Sequence, residues 1–69
     1  MAEIQSVIFD NTRWNIPKAV KWLKENDMKH YKVDIKPRTY RFRQLDPKQF
    51  KKYRTKTTAK GITFIIGFN

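Results

Sequence analysis

Residues 31–45 read YKVDIKPRTYRFRQL, a stretch that decides the fold because apolar and charged side chains alternate on both sides of a proline. Alternation with a period of two is typical of half-buried β-strands, and proline interrupts such strands at turns. In the hairpin that this pattern predicts, Ile35 lies opposite Tyr40 and Val33 lies opposite Phe42. The apolar side chains of both strands therefore fall on one side of the sheet.

The turn and the charged side of this hairpin follow from the same register. Proline is poorly suited to a two-residue turn of mirror-image geometry, so we expect a four-residue loop over residues 36–39. On the charged side, Asp34 lies opposite Arg41, and Lys32 lies opposite Arg43. Because like charges directly across a ladder repel each other, the second pair is a place where a bound anion would relieve the repulsion.

Upstream of the hairpin, the sequence predicts a strand and an amphipathic helix. Residues 3–9 (EIQSVIF) are apolar and rich in β-branched side chains, and an Asp-Asn turn signal follows them. Asn15 is placed to begin a helix, because a proline two residues later is tolerated in a first turn. With a period of 3.6 residues the helix has one apolar face and one lysine-rich face. The apolar face consists of Ile16, Ala19, Val20 and Leu23.

Downstream of the hairpin, a short helical turn and two further strands are predicted. Asp46 caps the turn and Pro47 takes its first position. Residues 52–58 (KYRTKTT) alternate bases with tyrosine and threonine, and residues 62–68 form the most apolar stretch of the chain. The alternative is an irregular basic loop over residues 51–60, which would leave one strand fewer.

The register of the last two strands decides which face of the sheet carries the bases. A turn over residues 58–61 would pair Tyr53 with Ile66 and Thr55 with Phe64 on the core side. The bases between them would then line the outer face, together with those of the hairpin.

These elements predict a single α+β domain over residues 1–69, with one amphipathic helix packed on a mainly antiparallel sheet of four or five strands. The order along the chain is strand, helix, strand, strand, short helical turn, strand, strand. The predicted core consists of Ile4, Val7, Ile8, Ala19, Val20, Leu23, Val33, Ile35, Tyr40, Phe42, Ile62, Phe64 and Ile66.

Positive charge is concentrated in the middle of the chain. The sequence has 16 Lys and Arg against 6 Asp and Glu, for a net charge of +10. Residues 30–60 hold eleven of these bases and two of the acids, and so carry +9 of the total. Hydrophobic residues make up 39% and aromatic residues 14%, which is too much for a disordered tail. Such an asymmetry is typical of a surface that binds a polyanion.

Composition argues against several classes of protein. The chain has no cysteine and one histidine, His30, so we expect no metal site and no other cofactor. His30 lies among lysines and a tyrosine with no nucleophile beside it, and the two glycines do not form a phosphate loop. We therefore predict no catalytic residue and no enzyme activity. Without a signal-like apolar segment or a run of about 20 apolar residues, we expect an intracellular protein that is neither secreted nor in a membrane.

The leading functional hypothesis is non-enzymatic binding of nucleic acid, DNA in preference to RNA, with little sequence specificity. The alternatives are an interaction module for an acidic protein partner, and a structural or assembly component; the oligomeric state stays open. The predicted binding residues are Lys32, Lys36, Arg38, Arg41, Arg43, Lys51, Lys52, Arg54, Lys56 and Lys60.

Several short motifs resemble small basic proteins and domains of large DNA viruses and phages, and a segment of the phage XkdF-like putative prohead protease family. These motifs are Ala19 with Trp22 and Leu23, the run YRFRQLDP over residues 40–47, and Gly61-Ile62 with Ile66-Gly67. The resemblance implies a viral origin, a place in the host cell or the virion, and a role near the packaged genome or in particle assembly. No catalytic residue is carried over, because the chain has no protease nucleophile constellation.

Overall fold

A computed structural model describes residues 2–69 and has the predicted α+β order of elements. The elements are β1 (Ala2–Asp10), α1 (Ile16–Glu25), β2 (Val33–Ile35), β3 (Thr39–Arg43), a 3₁₀ turn (Pro47–Gln49), β4 (Lys52–Thr57) and β5 (Ile62–Phe68). The strands form one antiparallel sheet in the order β2-β3-β1-β5-β4. Since β4 is a strand, the alternative of an irregular loop over residues 51–60 is wrong.

The core lies between α1 and one face of the sheet, here called the helix face; the opposite side is called the open face. β1 is the central strand, and its Val7 and Phe9 are fully buried against the helix. The predicted core is wrong at Ile8, because neighbouring residues of a strand point to opposite faces and Val7 already points to the helix. It is also wrong at Ile35, which is 60% exposed on a short edge strand, and it omitted Phe9. The buried core cluster consists of Val7, Phe9, Ala19, Leu23, Phe42 and Ile62.

Helix α1 begins where the sequence predicts. The Asn15 side-chain oxygen accepts a hydrogen bond of 2.9 Å from the Lys18 N–H, which satisfies one of the free donors of the first turn. Ala19 and Leu23 of the predicted apolar face are completely buried. Burial of this face against the sheet stabilises a helix of only 10 residues, which is too short to be stable by itself in water.

The hairpin of β2 and β3 has the predicted register. Its ladder pairs are Val33 with Phe42, Asp34 with Arg41, and Ile35 with Tyr40. The Lys36 N–H donates to the Thr39 carbonyl at 2.9 Å, so these two residues close a turn with only Pro37 and Arg38 between them, and the predicted four-residue loop is wrong. The ladder begins at Val33, so Lys32 and Arg43 lie just beyond its first pair and outside the assigned ladder, and both line the same depression.

The register of β4 and β5 differs by one residue from the prediction. Tyr53 pairs with Gly67 rather than Ile66, and Thr55 pairs with Ile65. Since the side-chain period of a strand is two residues, this slip moves every side chain of β4 to the other face. Tyrosine and threonine of β4 therefore lie on the open face, and its bases lie on the helix face.

The cause of this slip is the length of the loop. The Thr58 N–H donates to the Ile62 carbonyl at 2.8 Å, so these two residues close a loop of three residues rather than four. Three-residue hairpin loops need a left-handed residue in last position, and Gly61 supplies it with a φ of 80°. Arg54 consequently pairs with Ile66, a residue of the helix face.

The segment 44–51 carries the chain from β3, on one side of β1, to the far edge of the sheet. At its start, the Gln44 N–H donates to the Gln5 carbonyl at 2.7 Å. At its end, the buried ring of Phe50 packs on Gly67 in the open face. The open face is thus covered by Phe50 at Gly67 of β5.

Candidate nucleic-acid interface

The predicted binding residues do not lie on one face of the sheet. Lys32, Lys36, Arg41 and Arg43 line a groove on the open face beside β2 and β3, here called the open-face groove. Lys52, Arg54 and Lys56 lie on the helix face of the edge strand β4, here called the β4 strip. Arg38 lies in the β2–β3 turn, Lys51 precedes β4, and Lys60 lies in the β4–β5 loop. The single basic face predicted from the sequence is therefore wrong, and two separate basic surfaces replace it.

The open-face groove is a shallow depression of about 450 Å³ with four basic side chains and one carboxylate, Asp34, around it. The Asp34 carboxylate forms an ion pair of 3.3 Å with the Lys36 ammonium, and both side chains are more than half exposed. An ion pair in such a position contributes about 0–1 kcal/mol, so an incoming anion can displace the carboxylate at little cost. The groove has a strong excess of positive charge.

Arg41 is the most constrained base of this groove. Its Nε–H donates to the Ser6 hydroxyl oxygen at 3.3 Å, and its terminal nitrogen donates to the Gln5 side-chain oxygen at 3.4 Å. Both acceptors are neutral, and among residues 2–69 no carboxylate lies within ion-pair distance of this guanidinium. The side chain is half-buried, and these two hydrogen bonds hold it in place without an ion pair.

Two buried polar residues of β1 position Arg41. Gln5 and Ser6 lie in the central strand of the sheet and are only 1% and 0% exposed, although their side chains are polar. The Ser6 hydroxyl donates to the Gln5 side-chain oxygen at 2.7 Å, and the Gln5 amide donates to the Leu45 carbonyl at 2.8 Å. The register of β1 against β5 shifts between Ile4 and Ser6, so that Gln5 forms a bulge.

Sequence reasoning missed this polar pair. The signal was present, because Gln5 and Ser6 interrupt an otherwise apolar strand, and buried polar side chains need hydrogen-bond partners. A polar pair in a predicted central strand therefore indicates a partner elsewhere in the chain, which here is Arg41.

The β4 strip differs from the groove in its surroundings. All six residues of β4 are exposed, and the strand is one edge of the sheet. The Arg54 guanidinium lies 5.5 Å from the centre of the Phe68 ring, a cation–π arrangement on the helix face. The bases of this strand stand in a row along an edge, whereas those of the groove surround a common depression.

Two further kinds of feature, a metal site and a membrane-spanning helix, are not found among residues 2–69. No group of three His, Asp or Glu side chains among residues 2–69 is placed to hold a metal ion. No helix in this part of the chain has the length and apolar character to cross a membrane. The chain matches no protein-family model, no curated protein and no solved structure.

Proposed function

We propose that this protein binds nucleic acid without catalysing a reaction, and that the phosphates bind in the open-face groove. The observation that carries the proposal is the Arg41 guanidinium, held by neutral acceptors in a groove where four bases face one carboxylate. An immobilised guanidinium loses little entropy when it binds, and its forked donors match the geometry of phosphate oxygens.

DNA with little sequence preference is the ligand that this surface fits. Contacts from lysine and arginine to phosphates fix the position of a nucleic acid but do not read its bases. Binding of this kind releases counterions, so the affinity falls steeply as salt increases. If the four bases of the groove contact three or four phosphates, the logarithm of the affinity falls by about 3–4 per tenfold increase in salt.

Fluorescence anisotropy with two DNA molecules of unrelated sequence, from about 50 mM to about 200 mM salt, tests the proposal. We expect similar affinities for both sequences and a steep salt dependence. Absence of DNA binding at the lowest salt concentration would show that the proposal is wrong.

A pair of charge-matched variants tests the site. Arg41→Glu with Arg43→Glu reverses two charges in the groove, and Lys52→Glu with Arg54→Glu reverses two charges on the β4 strip. We expect the groove variant to lose most of the affinity and the β4 variant to lose much less. Equal losses would mean that total charge, and not the groove, determines binding. Because Arg41 has hydrogen bonds to β1, Lys36→Glu with Arg43→Glu is a second groove variant, and circular dichroism checks the fold of each.

A second candidate is an acidic protein partner, which the free β4 edge favours. An edge strand with exposed backbone groups can pair with an extended segment, and its three bases would attract an acidic one. Recovery of one acidic protein from a lysate by the wild type but not by the β4 variant, without DNA binding, would support this candidate.

The resemblance to viral and phage proteins implies three further points that stay proposals: a viral origin, a location in the host cell or the virion, and a role in assembly. An assembly component would form concentration-dependent oligomers, which sedimentation would detect.

A further inference from the structure

Tyr31 is an aromatic side chain exposed beside the open-face groove. It is 80% exposed, the largest exposure of any large hydrophobic residue in the described chain. Its ring centre lies 4.7 Å from that of His30, with the two ring planes tilted by 39°, and the rest of the tyrosine ring is open to solvent. An exposed aromatic ring buries a large surface area when a ligand covers it, and a flat ligand group can do so by stacking on the ring.

The backbone just before Tyr31 is held firmly by Gln44. The Lys29 N–H donates to the Gln44 side-chain oxygen, and the Gln44 side-chain nitrogen donates to the Lys29 carbonyl, both at 2.8 Å. Gln44 is itself 9% exposed and follows β3 directly. This double hydrogen bond fixes the segment that presents Tyr31 relative to the end of β3.

A second depression continues the open-face groove past the end of β3. Lys32 and Arg43 line both depressions, and Tyr31 lines the second one together with Asp46 and Gln49. A chain of phosphates that binds Lys32 and Arg43 would therefore run directly beside the Tyr31 ring. In this position the ring can meet the flat side of a base.

We propose that Tyr31 stacks on an unpaired base whose neighbouring phosphates bind Lys32 and Arg43, so that the preferred ligand is single-stranded DNA. The inference rests on the proposed function and specifies its ligand as single-stranded rather than double-stranded DNA. Bases inside a duplex are stacked on each other and offer only their edges, so a duplex can use the phosphate contacts but not this ring. Stacking on an aromatic side chain depends little on which base is present, in keeping with low sequence specificity.

The test compares a single strand of about 15 nucleotides with a duplex of the same sequence, by fluorescence anisotropy at low salt. We expect the wild type to bind the single strand more tightly. Tyr31→Leu keeps an apolar side chain but removes the ring, and should weaken single-strand binding by about 5- to 150-fold, which corresponds to the loss of one stacked base. Its affinity for the duplex should stay within about twofold of the wild type. Tyr31→Phe keeps the ring and should retain the single-strand affinity.

Tyr53 provides the matched control. It is 43% exposed at the opposite edge of the sheet, where its ring centre lies 6.1 Å from that of Phe50. Tyr53→Leu should leave the preference for the single strand unchanged. The inference would be overturned if Tyr31→Leu changed neither affinity, weakened both equally, or acted no more strongly than Tyr53→Leu. In those cases DNA binding that depends on Arg41 and Arg43 would still support the proposed function, whereas failure of every oligonucleotide to bind would contradict both proposals.

Discussion

The ring of Phe50 occupies the space beside Gly67 where any other residue would have its Cβ. Phe50 lies one residue before the end of the segment 44–51, and Gly67 lies on the open face of β5, the strand next to β4. The contact anchors this long connection to the sheet just before the chain enters β4. It therefore helps to place β4 at its edge of the sheet.

Gly67→Ala should lower the free energy of unfolding by about 1–3 kcal/mol, because the new methyl group forces the Phe50 ring out of its place. Urea unfolding followed by tryptophan fluorescence measures the loss. In a Phe50→Val background the smaller side chain leaves room for the methyl group, so the same change should cost much less. An equal loss of stability in the wild-type and Phe50→Val backgrounds would show that the contact between Phe50 and residue 67 is not its cause.

Asp27→Gly should raise the free energy of unfolding by about 0.5–1 kcal/mol. Asp27 follows the end of α1 with a φ of 55°, a left-handed conformation that glycine adopts without strain. The hydrogen bonds around it form a Schellman motif: the Met28 N–H donates to the Leu23 carbonyl at 2.8 Å, and the Asp27 N–H donates to the Lys24 carbonyl at 3.2 Å. Thermal unfolding monitored by circular dichroism measures the gain.

A control substitution distinguishes the effect of backbone strain at Asp27 from the effect of its negative charge. Asp27→Asn removes a carboxylate from the negative end of the helix dipole but keeps a side chain at the strained position. We expect it to raise stability less than glycine does. An equal gain from both substitutions would mean that charge, and not backbone strain, limits the wild type.

Asp10 should make part of the stability depend on pH. The backbone N–H and then the hydroxyl of Thr12 donate to its carboxylate, each at 2.9 Å, and hold the pKa of Asp10 below its usual value. A lowered pKa in the folded state means that this contribution is present above the unfolded pKa of about 3.9 and is lost as the pH falls through the folded value.

Asp10→Asn keeps an acceptor for Thr12 but cannot ionise, so it isolates this contribution. Urea midpoints of both proteins, measured from about pH 6 down to about pH 2, should differ in favour of the wild type at the upper end. The difference should vanish at the lower end, where Asp10 is protonated. A difference that stays constant over this range would contradict the assigned cause.

Local sequence patterns were sufficient to predict the start of the helix and the strand pairing of the first hairpin. Asn15 with its nearby proline predicted the helix start, and alternation around the hairpin turn predicted the pairing of Val33 with Phe42 and of Ile35 with Tyr40. In both cases the interacting residues are close in the sequence, so the prediction needed no knowledge of the rest of the fold. A central strand such as β1 is different, because alternation alone did not show whether Ile8 or Phe9 faces the helix.

The candidate site was predicted only in part. The four groove bases were all among the predicted residues, because the hairpin register was correct. The β4 strip was assigned to the wrong face, because a single residue of loop length at Gly61 reverses the faces of a strand. The alternation in residues 52–58 is equally compatible with either face.

The sequence by itself determined the α+β order of elements, the N-terminal caps Asn15 and Asp46, the pairing of the first hairpin and the concentration of positive charge in residues 30–60. These features depend on side-chain periodicity and on contacts between near neighbours in the chain. Only the tertiary structure decided the strand order, the division of the bases into two surfaces and the restraint of Arg41 by Ser6 and Gln5. Those partners lie about 35 residues from Arg41 along the chain, and they meet because β1 pairs with β3 in the folded sheet.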